Sequence, residues 1–245
     1  TCIAALAANA ANAQLPPVTT ATARVVAVAK AAHLSGEIAL ADQTGPVIDR
    51  TLGLADRGKR QPHRQGARWL WASVTKQVTA VLVMQQVEAG TLSLDGTIHH
   101  YLPDFASANG DTITLRQLLQ HLSGLPNPDD TLAGGGDVPT FYTETGAKIA
   151  DTPRATGFCS GTPKAAPGVG FAYNNCDYLV IGAILERVTG KPYAKLVADR
   201  ITKPLALRSL RIARDGELRG GGAATGYIAG GKPYPAVNVA TFGAA

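Results

Sequence analysis

The sequence predicts a mixed α/β (α+β) fold, and three observations lead there. Two strand-like segments joined by a turn lie near the left end, strongly helical segments fill the middle, and after Leu210 the pattern returns to loops and short strands. In chain order, a lead-in from residue 14 gives way to a helix over roughly Thr20 to Ala32. Glu37 to Ala41 and Val47 to Leu54 read as strands around the turn Asp42-Gln43-Thr44-Gly45-Pro46. Residues 55 to 68 are polar and loop-like. Ala72 to Ala89 is the clearest helix: Val74, Val78, Val81 and Val87 stand at near-helical spacing, and Gly90 is a good stop. A shorter helix spans Thr114 to Leu122. Residues 123 to 170 are rich in Gly, Pro, Asp and Thr, with Gly134-Gly135-Gly136 reading as a mobile loop, and so long an irregular stretch usually borders a site. Asp177 to Thr189, stopped by Gly190, and Pro192 to Ile201 complete the helices.

The 245 residues carry a formal charge of +5, spread over singly placed lysines and arginines with few aromatics. Nucleic-acid binders show a basic stripe with stacking aromatics, so a mildly basic solvated surface is the better reading, with a preference for anionic substrates as the alternative. No apolar run is long enough to span a bilayer. Small apolar residues from Ile3 to Ala13, ending Ala11-Asn12-Ala13, read as the remnant of a signal peptide, which implies a periplasmic or secreted protein; an Ala-rich N-terminus is the alternative. Cys2 falls in that remnant and is either removed or lipid-anchored. Cys159 and Cys176 are then an even pair in an oxidising compartment, which suggests a disulfide.

Two short elements carry chemistry. In Ser73-Val74-Thr75-Lys76, residues three apart share a helix face, and Ser73 stands in the first turn, where free amides favour developing negative charge. A serine hydroxyl needs a base to become a nucleophile, and Lys76 can serve if its surroundings favour the neutral amine. Trp69, Leu70, Trp71, Val74 and Val78 would supply an apolar wall. Alone, the pattern also describes an ordinary helix start with a solvated lysine. In Tyr173-Asn174-Asn175, a phenol beside a lysine can relay protons, and the Asn175 amide can orient the lysine or a substrate carbonyl. The alternative is a packed tyrosine with Asn175 as helix N-cap.

Together these elements resemble the serine β-lactamase and penicillin-binding protein superfamily, in the branch of class C β-lactamases, D,D-carboxypeptidases and related esterases. Over most of residues 36 to 245 the resemblance is carried by Trp71-Ala72-Ser73-Val74-Thr75-Lys76-Gln77, Glu88-Ala89-Gly90-Thr91-Leu92-Ser93-Leu94-Asp95 and Tyr101-Leu102-Pro103. It continues in Ile113-Thr114-Leu115-Arg116-Gln117-Leu118-Leu119-Gln120-His121-Leu122-Ser123-Gly124-Leu125-Pro126 and Pro167-Gly168-Val169-Gly170-Phe171-Ala172-Tyr173-Asn174-Asn175. The resemblance implies Ser73 as nucleophile, Lys76 as its proton partner and Tyr173 as second acid/base. It further implies that Asn175 positions Lys76 and the substrate, and that the Ser73 amide is one oxyanion donor. His121 is read as structural, since lysine and tyrosine leave no need for a triad histidine. The implied fold is β-lactamase/transpeptidase-like: an antiparallel sheet flanked by helices plus a mostly helical domain, the site between them. Residues 14–70 and 205–245 would belong to the first and 71–204 to the second.

The family's third motif, Lys or His followed by Thr or Ser and Gly, has no match in a plausible place before Ala245. The expectation is an incomplete sheet whose remaining strands would follow Ala245. G-x-S-x-G is absent, and Gly226 to Lys232 fails as a phosphate loop because Pro233 stands where Ser or Thr is needed. The five histidines lack metal-ligand spacing, and His99-His100 read as loop residues, so no metal or cofactor is expected. The sequence therefore points to a serine hydrolase acting on β-lactams, D-amino-acid peptides or small esters; the rival is a non-catalytic penicillin- or peptidoglycan-binding relative.

Overall fold

Residues 18–131, 138–143, 152–213, 223–227 and 231–233 are described by the computed structural model. The signal-like segment 1–13 with Cys2, the Gly134-Gly135-Gly136 run and most of the chain after residue 213 lie outside the described residues. The chain divides into two compact units, one ending at Arg68 and the other beginning at Trp69.

In the first unit, helix α1 (Val18–Ala31) precedes an antiparallel hairpin of β1 (Gly36–Asp42) and β2 (Gly45–Leu52), in which Gly36 faces Leu52 and Asp42 faces Gly45. The turn is tighter than the predicted 42–46 span. Asp42 Oδ1 accepts the Thr44 N–H at 2.7 Å, an Asx turn that lets pairing run to its end. The segment read as a loop holds a second hairpin, β3 (Leu54–Asp56) with β4 (Gln61–Pro62). Strands of three and two residues are too short to show alternation.

In the second unit the predicted 72–89 helix is two elements: a 3-10 turn over Ala72–Thr75, then α2 (Lys76–Glu88). Its buried face is Lys76, Val78, Thr79, Leu82, Val83 and Gln86, while Val74 and Val81 are half exposed. The valine spacing misled because two polar residues on the inner face are satisfied there. Thr79 Oγ1 hydrogen-bonds Tyr193 Oη at 2.7 Å, and Gln86 Oε1 accepts the Thr91 hydroxyl at 2.9 Å. Next come α3 (Ile98–Tyr101) and α4 (Leu115–Leu119), the latter opened by a capping box of Thr114 and Gln117. Two helices, α5 (Thr140–Thr143) and α6 (Thr152–Cys159), occupy part of the stretch predicted to be irregular.

Helix α7 (Asn175–Thr189) is the centre of this unit. Every residue from Cys176 to Leu185 is buried, and helices α2, α3, α4 and α6 pack against it. It ends at Gly190, whose φ of +65° is the left-handed C-terminal cap that glycine adopts without strain. Helix α8 (Tyr193–Val197) runs on into a π-helical turn, Ala198–Thr202. Cys159 and Cys176 are disulfide-bonded, tying α6 to the first turn of α7. Cross-linking residues 17 apart stabilises by about 3 kcal/mol in the loop-closure view.

His99 and His100 lie in the α3 turn rather than in a loop, and both ring nitrogens of His99 are engaged. Nε2 is 2.7 Å from the Phe105 carbonyl and Nδ1 is 3.0 Å from Asp111. The Phe105 carbonyl, then the Asp111 carboxylate, raise its pKa above the ordinary imidazole value. A raised folded pKa gives stability that is full below the unfolded value of about 6.5 and is lost as pH rises through the folded value. Unfolding temperature measured from pH 5.5 to 8.5 should therefore fall across that window in wild type and less so in His99→Gln. Parallel curves would refute the coupling.

Candidate active site

Ser73 stands exposed on the 3-10 turn, and the residue before it, Ala72, has φ +45°, a left-handed conformation costly for a residue with a Cβ. One turn on, the Lys76 side chain points inward and is only 7% exposed. Its Nζ donates to Ser73 Oγ at 3.2 Å. The predicted apolar wall is not what surrounds it. Trp69, Leu70, Trp71 and Val74 are 39–54% exposed, and of the five only Val78 is buried. Lys76 Nζ instead lies 4.9 Å from the Tyr173 ring centroid and 5.4 Å from that of Tyr178.

Tyr173 arrives on a loop laid along residues 121–124. The Lys164 N–H donates to the Gly124 carbonyl and the Gly168 N–H to that of Leu122, both at 2.8 Å, and the Ala172 N–H donates to the His121 carbonyl at 3.0 Å. Gly124 permits this approach: a Cβ there would lie 2.2 Å from the Ala165 carbonyl oxygen. The Tyr173 hydroxyl reaches Ser73 Oγ at 2.5 Å. Asn174, not Asn175, caps α7: its Oδ1 accepts the Cys176 N–H at 2.8 Å. Asn175 is thereby released from capping, and its Oδ1 accepts from Lys76 Nζ at 2.7 Å. Asn127 braces both neighbours, donating from Nδ2 to the Tyr173 carbonyl at 3.1 Å and accepting the Asn175 N–H at 3.3 Å.

His121 is buried behind Tyr173, ring centroids 4.7 Å apart, and its Nδ1 is 3.1 Å from Asp177 Oδ2. The Ser123 hydroxyl donates to Asp177 Oδ1. Burial raises the pKa of Asp177, a shift that its hydrogen bonds to His121 and Ser123 partly offset.

All four predicted side chains, Ser73, Lys76, Tyr173 and Asn175, therefore meet at one place. Asp129, Tyr142 and Asn127, which touch Asn175, and Ser123 and Asp177, which are joined to His121, were not singled out as site residues in the sequence. A polar His-x-Ser inside the apolar 118–125 run was the signal available for Ser123; the others sit in turns or a helix without a distinguishing pattern. Among the described residues, no group of three or more His, Cys, Asp or Glu side chains is placed to hold a metal ion. No helix among them is long and apolar enough to cross a membrane.

A family model described as Beta-lactamase matches residues 22–245. Esterase EstB of Burkholderia gladioli is 33% identical over 185 residues, covering 72% of this chain and 46% of that protein. A D-aminopeptidase of Cereibacter sphaeroides is 29% identical over 171 residues, covering 69% and 31% respectively. The crystal structure of FmtA from Staphylococcus aureus superposes with a TM-score of 0.73 at 22% identity, over 91% of this chain and 60% of that one, a likeness of fold. The chain spans about a third to a half of the length of these two curated relatives.

Proposed function

Since the chain belongs to the Beta-lactamase family and shares its helix-and-sheet fold, we propose that it is a serine hydrolase working through an acyl-enzyme on Ser73. The observation that carries this reading is the convergence on one oxygen. Ser73 Oγ lies 3.2 Å from Lys76 Nζ and 2.5 Å from Tyr173 Oη, on an exposed turn. Ser73 Oγ attacks the substrate carbonyl carbon as its proton passes to the Lys76–Tyr173 pair. The resulting oxyanion meets the Ser73 amide at the open start of the turn. Collapse breaks the bond to the leaving oxygen or nitrogen, which takes the proton back from the same pair. Water, deprotonated in turn by that pair, then releases the acid and restores Ser73.

The relatives' names, an esterase and a D-aminopeptidase, support a substrate with a small ester or a D-amino-acid amide, and the family adds β-lactams. The disulfide suits an oxidising compartment, in keeping with a periplasmic or secreted protein. The exposed, fully engaged Ser73 favours catalysis over a non-catalytic binding role. Intact-mass measurement after treatment with a fluorophosphonate should show one adduct on wild type and none on Ser73→Ala, with steady hydrolysis of a p-nitrophenyl ester by wild type. An adduct of the same mass on Ser73→Ala would overturn the assignment, and an adduct without ester turnover would favour the binding role.

A further inference from the structure

An amide side chain is nearly symmetric in shape, yet only its oxygen can accept from an ammonium; its nitrogen carries two donors. Asn175 therefore supports Lys76 in one of two flips. In the structure Oδ1 faces Lys76 at 2.7 Å, so what holds that flip is found at the other end. Nδ2 lies 2.6 Å from Tyr142 Oη and 3.3 Å from Asp129 Oδ1, and the Tyr142 hydroxyl is itself hydrogen-bonded to Asp129. A carboxylate has no proton to give, so the Tyr142 O–H donates to Asp129, and the phenol oxygen is left as an acceptor facing Nδ2. Each bond then has one sense: Lys76 donates to Asn175, Asn175 to Tyr142, and Tyr142 to Asp129. Burial, aided by Asp129, pushes the Tyr142 phenol far above its ordinary pKa, so it keeps the proton this chain requires.

The placement of Tyr142 is itself built. Its neighbour Phe141 is 3% exposed, its ring 4.8 Å from that of Phe158 on α6, and its N–H donates to Thr131 Oγ1 at 3.1 Å. That anchor fixes α5, and with it the tyrosine beside Asn175.

We propose that Tyr142 and Asp129 are positioning residues for acylation: they lock the Asn175 amide with its oxygen toward Lys76 and so hold Lys76 against Ser73. The inference rests on the acyl-enzyme reading above; neither residue touches Ser73.

The test is the kinetics of Ser73 labelling by a fluorophosphonate, separated into a binding constant and a maximal acylation rate. It takes wild type, Tyr142→Phe, Asp129→Asn, Asn175→Ala and the double variant Tyr142→Phe/Asn175→Ala. Tyr142→Phe should lower the maximal rate about tenfold or more, with the binding constant within about twofold. Asp129→Asn alters an exposed side chain and removes the charge to which Tyr142 and Asn175 donate, and it should lower the rate in the same direction. The double variant should be no slower than Asn175→Ala alone, because Tyr142 acts through Asn175. A wild-type rate in Tyr142→Phe and Asp129→Asn, or effects that multiply in the double variant, would overturn the inference while leaving the acyl-enzyme intact. Failure of wild type itself to label at Ser73 would overturn both.

Discussion

Replacing Lys76 with methionine should slow acylation of Ser73 by about a hundredfold to ten-thousandfold, the span that a positioned acid/base group contributes. Methionine keeps the aliphatic stem and removes only the group that exchanges the proton. The side chain is 7% exposed, and replacing a buried charge by an apolar group of similar length is tolerated where packing is kept. Asn175 Oδ1 loses its partner, which costs about 1–3 kcal/mol. Stability should therefore fall by no more than that, far less than the rate. Lys76→Arg separates charge from proton transfer. A guanidinium keeps the positive charge but cannot act as a base in a protein, so this variant should be as slow as the methionine one. Labelling rates read by mass spectrometry, with urea unfolding of each variant, decide the matter. Retention of a third or more of the wild-type rate in either variant would remove Lys76 from the proton pathway.

The four central residues were legible because each stands in a short motif whose members are near in sequence: Ser73 and Lys76 three apart, Tyr173 and Asn175 two apart. Geometry that depends on segments far apart in the chain was not. The valines of α2 suggested one face, but the helix turns Thr79 and Gln86 inward, since Tyr193 and Thr91, distant or beyond the helix, satisfy them. The wall around Lys76 was sought in its sequence neighbours and comes instead from Tyr173 and Tyr178, about a hundred residues away. The sequence offered Asn175 as the α7 cap, and Asn174 holds that place instead. Propensity cannot choose between adjacent asparagines, and the choice is made by Lys76, which takes Asn175 and leaves Asn174 to cap. Asp129 and Tyr142 lie in a stretch of turn-forming composition with no periodicity, so only the fold brings them to Asn175.

Asp177→Ala should destabilise the protein by about 3 kcal/mol or more, whereas Asp177→Asn should cost no more than about 1 kcal/mol. The carboxyl is fully buried in the first turn of α7 and meets two side chains, Ser123 at Oδ1 and His121 Nδ1 at Oδ2. The sense of those bonds is set by a neighbour that cannot reverse. The Asn174 backbone N–H points at the same His121 Nδ1 at 3.2 Å, so that nitrogen is an acceptor. In the protonated acid, the form that burial favours by raising the pKa, Oδ2 donates to that nitrogen. Asparagine reproduces this pattern: Oδ1 accepts from Ser123 and Nδ2 donates to His121. Alanine removes the acceptor of the Ser123 hydroxyl and one of the two contacts of His121 Nδ1, and it opens space behind Tyr173, whose ring lies against His121. The pH dependence has a definite sign. A raised folded pKa means that the contribution of Asp177 is full below the unfolded carboxyl value of about 3.9 and declines as pH rises through the folded one. Asp177→Asn should abolish that decline, so its stability relative to wild type should improve as pH rises from 3.5 toward neutrality. Denaturant unfolding of wild type and both variants across this range tests the assignment. If asparagine proves as destabilising as alanine at neutral pH, the carboxylate is ionised, the histidine carries the Nδ1 proton, and the network behind Tyr173 runs with the opposite polarity.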